Sequence, residues 1–140
     1  MKQSSMRSYN QYFHVYILST EDGKMIKVGK ANNTQRTRHL ARMGYAGFKD
    51  WVHVATFPMC SDHAATALEA MLISRLASAE YRVPRISWEN QLNGRKSYAD
   101  ECFRCDAYRA IQAALELSQV YFEHVVPQIN TPRCDLSGAP

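Results

Sequence analysis

Residues 13–30 read FHVYILSTEDGKMIKVGK, and the pairing of the two halves of this stretch decides the fold. Residues 13–18 form an apolar run of β-branched and aromatic side chains bounded by the turn signal Glu21-Asp22-Gly23, which predicts a strand. Beyond the Asp-Gly turn, Met25, Lys27 and Gly29 alternate with Ile26 and Val28, the two-residue period of a second strand. Two strands joined through Asp-Gly make an antiparallel hairpin, and the face carrying Ile26 and Val28 is predicted to be buried.

Outward from the hairpin, residues 31–34 are polar and Asn-rich, and Asn33 or Thr34 is placed to cap a helix over 35–43 that stops at Gly44. WVHVATF, residues 51–57, alternates up to Pro58 and predicts a third strand. From Ser61 the register changes: Ala64, Ala67, Leu68, Met71, Leu72 and Leu76 recur at three and four, an amphipathic helix capped by Ser61 or Asp62. Residues 82–96 hold a proline and an Asn-Gly turn and read as an irregular excursion, followed by a short strand within 98–104. Asp106 caps a last helix with Ala107, Ala110, Ile111, Ala114, Leu115, Ser118, Phe122 and Val125 on one side, and Pro127 ends it. This order predicts an α/β (α+β) domain over 13–126, a small antiparallel three-stranded sheet flanked by helices. A polar segment, 1–12, precedes it and a flexible tail, 127–140, follows.

A chain of 140 residues with 46% hydrophobic residues and a net charge of +4 suits one packed domain and excludes collagenous, low-complexity and wholly disordered polybasic classes. No window approaches the roughly 18 apolar residues that span a bilayer, and the polar N-terminus lacks the apolar centre of a signal peptide, so no membrane partner and a cytoplasmic location are expected. The charge is unevenly spread. Lys24, Lys27, Lys30, Arg36, Arg38, Arg42 and Lys49 follow one another without an acidic residue between them, and one-signed stretches of this kind meet phosphate.

The VYIL of residues 15–18 on one strand, the KVGK of residues 27–30 on the next, an arginine in the first helix and a lone Glu69 in the second together resemble the GIY-YIG nuclease superfamily. The likeness is to its small branch common in phage and prophage genomes, where the second tyrosine is often lysine. Arg36-Thr37-Arg38-His39-Leu40, then Gly44 and Phe48, is similar to that branch's arginine helix, and Glu101-Cys102-Phe103 to its late Glu-aromatic-Phe strand. The resemblance runs over residues 13–117. It implies a divalent-metal-dependent endonuclease that hydrolyses DNA phosphodiester bonds, with RNA left open as a substrate.

Such hydrolysis needs a base for water, a cation on the developing charge and help for the leaving oxygen. The resemblance puts Tyr16 near the attacking water; a free phenol titrates near ~10, so Tyr16 serves as base only with cations beside it, for which Lys27 and Lys30 are placed. Lys27 stands where the family usually has tyrosine, and it holds phosphate or, with a depressed pKa, takes the proton itself; the general base stays open between Tyr16 and Lys27. Gly29 lets phosphate approach the backbone. Arg36 grips phosphate oxygens through its planar fork, with Arg38 as substitute. Leu40 occupies a position that is polar in many members, with His39 beside it. Glu69 falls at the edge of its helix's apolar stripe, where a carboxylate must be paired, hydrated or bound to a cation. The resemblance makes it the sole protein ligand of Mg²⁺ or Mn²⁺, cations that keep their waters. Catalysis of this kind requires all of these groups to converge on one cleft.

For nucleic-acid contact, Lys30, Arg38 and Arg42 join Arg85, Arg95 and Lys96, which with Trp88 and Tyr98 interleave charge and rings. Cys60-x-x-His63 and Cys102-x-x-Cys105 carry the spacer of zinc knuckles and form a rival constellation, a structural Zn²⁺ staple. Cys134 is the remaining thiol, and His14, His53 and His124 lack partners at ligand spacing. The alternative to an enzyme is a catalytically inactive nucleic-acid-binding domain on the same scaffold, or a phage-encoded protein-interaction module.

Overall fold

The computed structural model describes residues 13–31, 36–123 and 125–130. The proposed caps Asn33 and Thr34, the segment 1–12, His124 and Cys134 lie outside the described residues. The hairpin forms as its sequence dictates. β1 (His14–Ser19) pairs antiparallel with β2 (Ile26–Ala31), Tyr16 opposite Gly29 and Ile17 opposite Val28. Gly23 in the turn takes φ 76°, a conformation that other residues rarely adopt. β3 (Val52–Pro58) pairs antiparallel with the other edge of β1, with a register shift between Ile17 and Leu18.

The sheet has five strands, not the three expected, in the order β6-β2-β1-β3-β7. β6 (Cys102–Phe103) sets Cys102 opposite Lys27, and β7 (Gln128–Ile129) sets Ile129 opposite Ala55. Both are dipeptides, too short to show a period, and they cover edges of β2 and β3 that would otherwise leave backbone groups unpaired. The segment expected to be a flexible tail thus begins with backbone pairing, in β7.

The second and third helices start at their expected caps, and the third ends at Tyr121 with Phe122 already extended, short of the expected stop at Pro127. α1 (Arg36–Met43) ends where Gly44 donates to Leu40 O; α2 (Asp62–Ser78) opens with Ser61 accepting from Ala64 N; α3 (Ala107–Tyr121) opens with Asp106 accepting from Arg109 N. The excursion over 82–96 is not irregular. Ile86–Glu89 (β4) and Lys96–Ala99 (β5) pair as a second hairpin, closed by Asn90 N donating to Arg95 O at 2.8 Å and Gly94 N donating to Asn90 O at 2.7 Å. Ile86 and Trp88 alternate with Ser87 and Glu89, so a strand period is present there.

Both faces of the sheet are covered. Val15, Ile17, Ile26, Val28 and Phe57 pack against Leu68, Leu72 and Leu76 of α2 and Ile111, Ala114 and Leu117 of α3. Tyr16, Leu18 and Cys102 pack on the other side with Leu40 of α1, Ala46, Trp51, and Trp88 and Ala99 of the second hairpin. Ile26 and Val28 are fully buried, as their alternation predicts. Lys27, on the opposite face, is 4% exposed because α1, the turn after it and the second hairpin roof that face as well. Among the described residues no helix is long and apolar enough to cross a membrane.

Candidate functional site

The opposition of Tyr16 and Gly29 shapes the site. A Cβ built on Gly29 would overlap Cζ and Oη of Tyr16 and stand 2.9 Å from its Cε1. The glycine is therefore the floor on which the Tyr16 ring lies, and the space expected to admit phosphate is filled by the phenol.

Lys27, two residues earlier, points to the same face. Its ammonium lies 4.8 Å from the Tyr45 ring centroid and 5.7 Å from that of Tyr16. It donates to Glu101 Oε1 at 3.2 Å and to Val28 O at 3.2 Å. Burial works against the charge, but the negative charge that Tyr16 and Tyr45 acquire on ionising, with the Glu101 carboxylate, outweighs it and holds Lys27 above its ordinary pKa. The depressed pKa needed for a lysine base is not what these neighbours produce. Burial pushes the Tyr45 phenol up to about 12 against the pull of Lys27, and burial pushes the Cys102 thiol up to about 11.

Glu69 sits half-buried on α2 beside the buried Ala65, Leu72 and Leu76. α2 packs on the face opposite Tyr16 and α1, so the expected residues do not share one face of the sheet. The Glu69 carboxyl is nonetheless raised by burial and by Glu101, and lowered by Lys27 and Lys30. At the outer edge of β2, Val28 N donates to Glu101 O just beyond the two residues that β6 pairs. Lys30 is already engaged: its ammonium donates to Asp62 Oδ1 at 3.0 Å and Thr66 Oγ1 at 2.8 Å on the first turns of α2.

Arg36 opens α1 and is exposed, and among the described residues no hydrogen bond or ion pair joins it to Tyr16, Lys27 or Glu69. Arg38, His39 and Arg42 are exposed on the same helix, whose buried residue is Leu40. In the second hairpin Arg85 is held by Asp100 at 2.8 Å and lies 5.3 Å from the Tyr98 ring, whereas Arg95 and Lys96 are exposed. Trp88 is 8% exposed and meets Tyr45 edge to face, so it serves the core and not base stacking.

The zinc constellation is not assembled. Cys60 is exposed, Cys102 belongs to the α1-side core and Cys105 to the α2–α3 core, and His63 is exposed on α2. Among the described residues no group of three or more His, Cys, Asp or Glu comes together to hold a metal ion.

Three residues not singled out in the sequence, or given no role there, belong to the same neighbourhood. Glu101 and Tyr45 surround Lys27. His53 on β3 joins α1 to the sheet: its Nδ1 meets Thr37 Oγ1 at 2.8 Å, its Nε2 meets Thr56 Oγ1, and its ring lies 6.5 Å from that of Tyr16. Burial and the nearby His14 lower its pKa. Apart from His53 with Thr56, three residues along the same strand, these contacts join residues of separate elements, and no sequence spacing announces them.

Charge is divided between the layers. On the side of Tyr16 and Lys27, residues 36–50 carry Arg36, Arg38, Arg42 and Lys49 against Asp50, and residues 82–100 carry Arg82, Arg85, Arg95 and Lys96 against Glu89 and Asp100. The α2–α3 layer reverses the balance, with Asp62, Glu69, Glu80, Asp106, Glu116 and Glu123 against Arg75, Arg104 and Arg109. Gln91 N donates to Met43 O at 2.9 Å, tying the hairpin to the end of α1 within the basic layer.

Comparisons with known protein families, with characterised proteins and with solved structures find no match to this chain.

Proposed function

We propose that this chain is a divalent-metal-dependent endonuclease of GIY-YIG type that hydrolyses DNA phosphodiester bonds. The observation that carries the reading is the packing of the Tyr16 phenol over Gly29 beside the buried Lys27 ammonium and its Glu101 partner; Glu69, on the helix that covers the other face of the sheet, has to reach the site around the edge of β2. Tyr16, as its phenolate, accepts the proton of the attacking water, since Lys27 is surrounded by groups that keep it charged. Lys27, buried, instead holds a fixed positive charge beside the Tyr16 phenol, and the exposed Arg36 grips the phosphate oxygens. Glu69 suits Mg²⁺ or Mn²⁺ as a hard, half-buried oxygen donor, and because burial and Glu101 raise its pKa, the cation must displace a proton that is held more tightly than on a free carboxylate. When bound, the cation would supply charge neutralisation at the phosphate.

Purified protein with Mg²⁺ or Mn²⁺ is expected to nick or cut DNA in a panel of duplex, single-stranded and branched substrates. Glu69→Ala is expected to abolish cleavage and keep the fold. An inert wild type would overturn the reading. The placement of the Glu69 helix on the face opposite Tyr16, together with lysine in place of the second tyrosine, favours a second reading, a nucleic-acid-binding domain without catalysis. Salt-dependent DNA binding that survives Glu69→Ala, with no strand cut, would select it.

A further inference from the structure

We infer that Glu101 is a positioning residue that fixes Lys27 as a permanent cation beside the Tyr16 phenol, an inference that rests on the nuclease reading for its role in turnover. The geometry is specific. The Lys27 side chain is 5% exposed, and its ammonium meets Glu101, 38% exposed, at 3.2 Å, with Val28 O and the Tyr16 and Tyr45 rings as its other neighbours. A buried ammonium without a counter-charge loses its proton or its place. The two residues are 74 apart in sequence and are brought together by the β2–β6 pairing, which sets Cys102 opposite Lys27 and so delivers the residue before it to the ammonium.

The titratable groups facing Lys27 come from every surrounding element: Tyr16 on β1, Tyr45 in the turn after α1, Cys102 on β6, Glu101 before it and Glu69 on α2. Of these, Tyr45 and Cys102 are pushed up to about 12 and about 11, so they are neutral at pH 7. Glu101 is the carboxylate in direct contact.

The test replaces Glu101 by Gln, which keeps size and one acceptor oxygen but removes the charge, and by Asp, which keeps the charge on a shorter arm. The Lys27 ε-methylene resonance, assigned by its disappearance in Lys27→Arg, is titrated by NMR, and cleavage kinetics are measured on the same proteins. The expected result is a Lys27 midpoint lower by about one unit or more in Glu101→Gln, with kcat down about tenfold or more, KM nearly unchanged and partial recovery in Glu101→Asp. An unchanged midpoint in a folded Glu101→Gln protein overturns the inference, as does a lowered midpoint with full kcat. If wild type cuts nothing while the midpoint falls, the nuclease reading fails and the Glu101 clamp on Lys27 stands. Should Glu101→Gln unfold, Glu101→Asp carries the same test with a smaller shift.

Discussion

At the scale of single residues, Tyr16 and Gly29 separate packing from chemistry. Any side chain at position 29 must displace the Tyr16 ring, because the overlapping atoms belong to an aromatic ring buried at 2% exposure, not to a flexible tip. Gly29→Ala is expected to cost about 1–3 kcal/mol in a urea titration, the usual penalty for overpacking, and to impair cleavage by moving the phenol. Tyr16→Phe keeps the ring on its floor. It should change stability by less than about 1 kcal/mol and reduce kcat by about 10² or more if the hydroxyl takes the proton. Equal kcat in Tyr16→Phe and wild type would remove Tyr16 from the chemistry and leave Gly29 a purely structural partner. The presence of a glycine opposite a tyrosine is legible in the sequence, but its meaning is not: only the register of β1 and β2 shows that the ring, and not a phosphate, fills the space above the glycine.

At the scale of elements, His53 is the polar pin between α1 and β3, held by Thr37 from the helix and Thr56 from the strand. Its folded pKa lies below the ordinary 6.5, so the fold favours the neutral ring. The unfolded chain therefore binds more protons in that range. The stability contributed by neutral His53 is present above 6.5 and is lost as pH falls toward the folded pKa. Thermal melts of wild type and His53→Gln between pH 7.5 and about 5 are expected to show a steeper decline in wild type toward acid; parallel curves would refute the assignment. The long strands, the helices and the caps at Ser61 and Asp106 are readable because each is a local pattern of several residues. The second hairpin is also written locally, in the alternation of Ile86 and Trp88 ahead of an Asn-Gly turn, but its arginines and proline mask the period. β6 and β7 have no such signal. Edge dipeptides are fixed by what they pair with, and the same holds for Glu101, whose role exists only through a contact across the fold.

At the scale of the whole molecule, the division of charge sets the face on which the proposed DNA substrate would dock. A net charge of +4 is mild, yet the α1 and hairpin layer concentrates the basic side chains and the α2–α3 layer the acidic ones, so the field is that of a dipole and not of a uniform cation. Many of the cations on the basic side are exposed, but not all are free: Arg85 is held by Asp100, and Arg82 donates to Asp100 O at 2.9 Å. Arg95 and Lys96 are the hairpin's available charges. Replacing both by Ala is expected to weaken DNA binding uniformly across sequences and to lower the slope of log affinity against log salt by about two, one for each phosphate left without its cation. On the opposite layer, Arg75 faces Glu116 at 3.1 Å and Arg109 lies near Asp106, and replacing both arginines by Ala should leave affinity and slope unchanged. If the two double variants weaken equally, DNA answers to net charge alone and the basic layer is not a docking face. If only the hairpin variant weakens, the bound strand lies on the side of the sheet where Tyr16 and Lys27 are buried, and reaches the β2 edge from there.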